Sequence, residues 1–449
     1  MSKSVLFQLL LILLSSYGGT IASTVVVLGV LIWNLSKNNL ADALSIFLVL
    51  LLFSDSTSSF YSNPGKAKDF AALVLAFYIF TKTKSPLKHA YIQTFFPYLG
   101  VALLGLLLIN FNIIGDQKEF KVIGFQKLLS YGLLMIIIPA SLMHILRRPG
   151  GIQFIRKLIF LFVVFYAFSV FMSRINPMVY ATFGRFNGIH RNPNGVGIFS
   201  SLFIMNLFLI RDKFPRIFST KVFWAFVTLF LGTIVLCASR NALLSLGIFF
   251  LFRTIKVKFF LGLILVIVIA SGYGLITYFV EQLLTTAGLE DEMRLDTISY
   301  ASGRIYIWEA CLLEIQNNYW LGHGFTYEEW SKWDQKYYEV IPMLIHNYGN
   351  IHNSYLTIWL NTGLLGLASF ILGLIVLVVR AQKRSPSIAP MFFAAIIIGF
   401  FESYLVASLN PYTWQIWFGF TIALFSPSLL PVPKNKRKKP SLSQQKQSV

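Results

Sequence analysis

Apolar runs follow one another along almost the whole chain, and this leaves few folds open to it. Fourteen stand out, at residues 5–16, 20–35, 40–53, 69–81, 91–110, 125–146, 156–173, 195–210, 222–238, 241–252, 259–280, 355–379, 388–407 and 414–430. A straight crossing of a bilayer core takes about 20 residues, so several runs are short, and adjacent ones either merge or re-enter. In lipid every backbone N–H and C=O needs a partner within the protein, so strand-poor runs of this kind form helices. The charged fraction points the same way: 12% of the 449 residues are charged and 56% are hydrophobic, against about 25% charged in a soluble domain. The reading is an all-α integral membrane protein, a polytopic bundle of about 12–14 transmembrane helices with one large extracytoplasmic loop carrying short helices.

Charge placement supplies the threading. The net charge is +20, and 23 of the 38 basic residues fall in six stretches accompanied by a single acid, Asp212. These are Lys82–Lys88, Arg147–Lys157, Arg211–Lys221, Arg253–Lys258, Arg380–Arg384 and the tail from Lys434 to Lys446. Basic residues collect in cytoplasmic loops. The stretches fall two crossings apart, so all six fit on one side with both termini there. The far side then receives 54–68, 111–124, 174–194, 239–241, 281–354 and 408–413. The tail Lys436-Arg437-Lys438-Lys439 suits topology and anionic lipid better than nucleic acid. Cys237 and Cys311 are the only cysteines, too few for a disulfide framework or a zinc site. Lys3 with Val5–Leu14 resembles a signal peptide, and with so many runs behind it is expected to stay as the first helix. No internal repeat is evident.

The polar segment 281–354 holds 11 of the 18 acidic residues, two arginines and three of the six histidines. A loop this long in a compact protein is functional or disordered, and its many aromatics argue against disorder. Arginines on this side oppose the charge bias that orders the rest of the chain, which makes them candidates for holding an anion. Arg185 and Arg191 precede Asn192-Pro193-Asn194-Gly195, a turn leading into a helix start, where free N–H donors and guanidinium forks suit a phosphate; a plain connecting turn is the alternative. Arg240, in Ala238-Ser239-Arg240-Asn241, has too little polar chain around it for a loop, so it either faces a polar cavity or anchors at the interface. Ser302-Gly303-Arg304 opens a short helix with Ile305, Trp308, Leu312 and Ile315 on one face; a cation is not favoured by the dipole at that end, so Arg304 has either an anionic ligand or a local acid such as Glu309. His352-Asn353 precedes the last long apolar stretch, and an imidazole there is matched to proton transfer near neutral pH. His346 ranks below it. Gly363 and Gly366 read as close-packing positions. The aromatics from Tyr319 to Trp359 form either an interfacial belt or flat platforms for sugar rings. Glu402, an acid near the outer end of run 388–407, either pairs with a site arginine or sits at the interface.

In this order the motifs resemble the O-antigen ligase and O-antigen polymerase family of bacterial membrane glycosyltransferases. The likeness rests on Arg185…Asn192-Pro193-Asn194, Ser239-Arg240, Ser302-Gly303-Arg304…Trp308, Gly322-x-Gly324, and His352-Asn353-x-x-Leu356 ahead of Gly363-x-x-Gly366. It is strongest over 180–380. The family's proline before the glycine pair is replaced here by Asn318-Tyr319-Trp320. The resemblance implies a glycan donor on undecaprenyl pyrophosphate and an acceptor hydroxyl on a lipid- or carrier-linked glycan, in lipopolysaccharide or other envelope polysaccharide assembly. It implies an inverting transfer that needs no metal, nucleotide or other cofactor. Arg185, Arg191, Arg240 and Arg304 would hold the pyrophosphate, His352 and Arg304 would carry catalysis, and Asn194, Asn353 and Trp308 would bind substrate. It divides the chain into N-terminal helices 1–175, a catalytic region 176–433 and a basic cytoplasmic tail 434–449, in the bacterial inner membrane, with the site on the periplasmic face. Its partners would be membrane lipids and other components of a polysaccharide assembly complex. The alternative class is a polytopic transporter or permease, which commonly carries inverted repeats and midplane polar groups.

Overall fold

The computed structural model describes residues 3–82, 90–110, 118–182, 184–255, 259–271, 282, 285–286, 304–325, 327–330, 333–341, 350–405 and 409–425. Ser302, Gly303, His346, most of the first third of segment 281–354 and the basic tail lie outside them. Each of the fourteen apolar runs is met by a helix, from Lys3–Leu14 and Gly19–Ser36 at the start to Ser354–Gln382, Ile388–Phe401 and Thr413–Leu424 at the end. The described strands are two-residue pieces, Ala181–Thr182 and Arg185–Phe186, paired antiparallel. This is an all-α membrane protein, and five of its helical stretches are long and apolar enough to cross a bilayer.

The first of those stretches, Ser4–Ser36, is two helices folded back on each other. Gln8 and Asn34 exchange side-chain hydrogen bonds, Asn34 Nδ2 reaching Gln8 Oε1 at 3.0 Å. A straight helix would hold these residues about 39 Å apart. The reversal falls at Gly19, whose φ of 81° suits a residue with no Cβ.

At the centre runs Pro193–Lys213, buried on nearly every face. Its 21 residues span about 32 Å, the thickness of a bilayer core. Its inner face stacks aromatics: Phe199 on Tyr166 at 4.8 Å and Phe203 on Phe230 at 4.3 Å between ring centroids. Asn206 donates to the Gln415 carbonyl and Gln415 to that of Phe199, which locks this helix to Thr413–Leu424.

The two ends of this central helix differ as the charge pattern requires. At its C-terminus Asp212 takes a bidentate pair from Arg253, at 2.6 and 2.7 Å, while Lys213 and Arg384 donate to the last carbonyls of neighbouring helices. Three of the six basic stretches therefore meet there. At its N-terminus meet residues from 54–68, 174–194, 239–241, 281–354 and 408–413, five of the six segments that charge counting places on the opposite side.

Two sequence expectations are corrected. Run 388–407 does not continue as helix past Phe401; Glu402 is extended, with φ −149° and ψ 139°, because its side chain and the Phe401 carbonyl both turn to Arg304. Gly363 is not a helix-packing glycine. It breaks Ser354–Gln382 at φ 67°, and the chain Tyr319–Gly324 lies in the break. His323 N–H donates to Leu360 O and Gly324 N–H to Asn361 O, both at 2.8 Å, while Leu364 N–H donates to Tyr319 O at 2.9 Å. A Cβ on Gly363 would collide with the Trp320 carbonyl, and one on Gly322 with the Gly363 amide. The two glycine motifs are the two halves of one clamp that docks the loop on the membrane helix.

Candidate active site

Glu402 is the meeting point of the motifs. Its Oε1 accepts from Arg304 Nη2 at 2.8 Å and from Asn194 Nδ2 at 3.3 Å, and its Oε2 lies 3.2 Å from His352 Nδ1. Asn194 in turn accepts from Arg185 Nη2 at 3.1 Å. One hydrogen-bonded chain thus runs from Arg185 through Asn194 and Glu402 to both Arg304 and His352.

Each member is placed by local structure. Arg185 sits in the short hairpin and donates to Cys237 O at 2.9 Å and Ala238 O at 3.3 Å. It thereby satisfies carbonyls just past the end of helix Thr220–Leu236 that have no helical partner. Asn194 is in the first turn of Pro193–Lys213, which opens with Asn192 as N-cap (accepting from Gly195 N–H at 2.9 Å) and Pro193 at the first position. Arg304 starts helix Arg304–Asn317, where its own dipole disfavours it. It is stabilised instead at the C-terminus of another helix, Ile388–Phe401, where Nη1 donates to the Phe401 carbonyl. The acid it pairs with is Glu402, not Glu309.

His352 adopts a left-handed φ of 51°, and the following Asn353 caps helix Ser354–Gln382 by accepting from Tyr355 and Leu356 N–H. Asn353 is buried and its carboxamide oxygen is taken up by that cap. Trp308 donates its indole N–H to Ile351 O at 2.8 Å, buttressing the residue before His352. Arg240, half-buried, opens Arg240–Ile255 three residues after the carbonyl of Cys237 that Arg185 holds. Ser239 beside it packs so closely on Gly197 that a Cβ there would displace it. Arg191 stands apart, exposed and without a hydrogen bond or ion pair to the described residues.

The electrostatics follow from this packing. Burial raises the Glu402 pKa, but the Arg304 guanidinium and His352 outweigh it and hold the carboxyl below the usual carboxylate range. The side chains of Glu402 and Arg304 are 13% and 15% exposed, against 35% for His352. A carboxylate against Nδ1 favours the tautomer with its proton there. His352 Nε2, with no partner among the described residues, is then left as an acceptor. Arg304 uses one N–H on each terminal nitrogen, so three of its five donors have no partner among the described residues.

The loop holding Arg304 and His352 has its own small core of Ile307, Cys311, Ile315, Trp333, Ile341 and Ile351. Its polar anchor is Glu314, fully buried, which accepts from Tyr337 at 2.8 Å, Tyr327 at 2.9 Å, Lys336 at 3.0 Å and Asn317 at 3.1 Å. Burial alone would push this acid up; these donors hold it below its ordinary value. Trp333, Tyr327 and Tyr337 are therefore core and scaffold, while Trp320 is exposed.

Residues 224–371 match a family model described as O-antigen ligase. This part of the chain is similar to O-antigen ligases. The match contains Arg240, Arg304, Trp308, His352 and Asn353, and ends before Glu402; Arg185, Arg191 and Asn194 precede it. No curated protein gives a significant match to the chain. The likeness and the apolar helices fit an O-antigen ligase-like membrane protein.

Proposed function

We propose that the protein transfers a glycan from undecaprenyl pyrophosphate to an acceptor hydroxyl at the extracytoplasmic face of a bacterial inner membrane. The observation that carries this reading is the single Glu402 carboxylate held by Arg304 on one side and His352 on the other. In the proposed step the acceptor oxygen attacks the anomeric carbon from the side opposite the carrier. The carbon–oxygen bond to the pyrophosphate breaks, its electron pair leaves on the pyrophosphate oxygen, and the acceptor proton passes to His352 Nε2. Attack from that side inverts the anomeric carbon. The remaining donors of Arg304, together with Arg240, stabilise the charge that develops on the leaving group, where fixed guanidinium groups act without reorganisation. Glu402 keeps the imidazole oriented and Arg304 in place; Arg185 and Asn194 hold Glu402. The charge pattern supports a cytoplasmic location for both termini.

The test uses full-length protein in lipid nanodiscs with a short oligosaccharide on undecaprenyl pyrophosphate and a glycan acceptor, with and without chelator. The expected product is a new glycosidic bond of inverted configuration, formed equally in both conditions. Retention of configuration, or loss of transfer with chelator, would overturn the corresponding part of the reading. Movement of the lipid-linked glycan across vesicles without transfer would favour a transporter instead.

A further inference from the structure

Behind the Arg185–Asn194–Glu402 chain lies a second cluster, which the transfer step above does not use. His190 is completely buried. Its Nε2 meets the Tyr166 hydroxyl, and its Nδ1 lies 2.8 Å from Asp55 Oδ2. Tyr412 donates its hydroxyl to the same Asp55 oxygen and stacks on the His190 ring at 5.6 Å between centroids. Burial and the Asp55 charge push the Tyr412 phenol well above its ordinary value, so it remains a donor. Asn187 Nδ2 fixes the His190 carbonyl at 2.9 Å. These side chains come from residue positions up to 357 apart in sequence, and two of them, His190 and Tyr412, converge on one carboxylate oxygen of Asp55.

The other oxygen of that carboxylate is different. Asp55 Oδ1 has no partner among the described residues, and the side chain is 24% exposed. The cluster also abuts the site. A Cβ on Gly195 would strike the Tyr412 hydroxyl and come within 3.4 Å of Asp55 Oδ2, and the neighbouring Asn194 is the residue that donates to Glu402. A carboxylate with one oxygen fixed by two donors, and the other without a partner among the described residues, is an acceptor suited to hydroxyl donors. A phosphate would be repelled by it.

We propose that Asp55 is a glycan-binding residue that accepts a hydrogen bond from a sugar hydroxyl of the donor or acceptor glycan, with His190 and Tyr412 as its positioning residues. The inference rests on the glycosyltransfer reading and gives that site its sugar contact. Loss of one hydrogen bond to a charged group corresponds to a change of about tenfold or more in affinity.

The experiment compares wild type, Asp55→Asn and Asp55→Ala, as full-length protein in nanodiscs, with thermal unfolding of each. It measures the Kd for undecaprenyl pyrophosphate without sugar, the Kd for the same carrier bearing an oligosaccharide, and the KM for the acceptor glycan in transfer. Expected is a weakening of about tenfold by both Asp55 variants for one sugar-bearing substrate, which also tells donor from acceptor. The sugar-free carrier binds as in wild type, and Asp55→Asn melts close to wild type. Equal loss for the sugar-free carrier shows a structural role and overturns the inference. So does unchanged behaviour of both Asp55 variants toward every substrate. A wild-type protein that binds neither carrier overturns the glycosyltransfer reading itself.

Discussion

Replacing Glu402 with Gln separates charge from shape. The glutamine keeps one acceptor for Arg304 and loses the negative charge that fixes the imidazole tautomer. In the native site Glu402 makes a 2.8 Å charged bond to Arg304 and a 3.2 Å contact to His352, and the carboxylate is nearly buried. A hydrogen bond to a charged group contributes about 1.5–3 kcal/mol. Losing the orientation of a general base forfeits part of its 10²–10⁴-fold contribution, so a fall in kcat of about 10²-fold is expected. That fall corresponds to about 2.7 kcal/mol in the barrier. KM for the donor should change little, because Arg304 keeps its remaining donors. The assay is multiple-turnover glycan transfer in nanodiscs, paired with thermal unfolding to show that the variant is folded. The Ala variant is a poorer probe, since a buried arginine left without its acid costs about 3–5 kcal/mol of stability. A Glu402→Gln protein of native stability with kcat within threefold of wild type would refute the reasoning.

Three further outcomes follow from the same geometry. Arg185→Ala should reduce transfer at least tenfold by releasing Asn194 and with it Glu402, whereas Arg191→Ala, at an exposed residue outside the network, should stay within about twofold; initial rates at fixed donor decide it. Gly363→Ala should lower the melting temperature by several degrees, since the new methyl meets the Trp320 carbonyl at a positive φ; an unchanged Tm would remove the clamp. Glu328, buried beside Glu329, is pushed up to about 8, first by burial and then by its neighbour's charge. Its folded state favours the proton, so its contribution is present below the ordinary carboxylate pKa and lost as pH rises through about 8. Melting temperature should therefore decline less steeply in Glu328→Gln than in wild type as pH rises from the ordinary carboxylate range to about 8.

The helices were legible because lipid admits almost nothing else: each apolar run had to become one, and the basic stretches ordered their ends. Arg304 and His352 were legible as departures from that order. Arg304 stood at the wrong end of its own helix dipole, and the resolution of that anomaly is the C-terminus of a different helix. Glu402 was visible as an isolated acid, but its partners lie 50 to 208 residues away, and no local spacing announces them. Asp55, Tyr412 and Tyr166 were missed for the same reason. The signal available for Asp55 was its position: an acid directly after an apolar run, on the side where arginines had drawn attention. Gly363 misled because a glycine that lets two helices approach and one that breaks a helix to admit a loop look alike in sequence. Glu314 was hidden among the ten other acids of its segment, its tyrosine partners taken for belt or sugar platform.

The most direct test of the arginine–glutamate–histidine site is single-turnover transfer with donor binding measured in the same nanodiscs. His352→Ala should bind the lipid-pyrophosphate glycan with wild-type affinity and transfer none of it, while Arg304→Ala should bind it at least tenfold more weakly. Transfer at the wild-type rate by both variants would contradict the account.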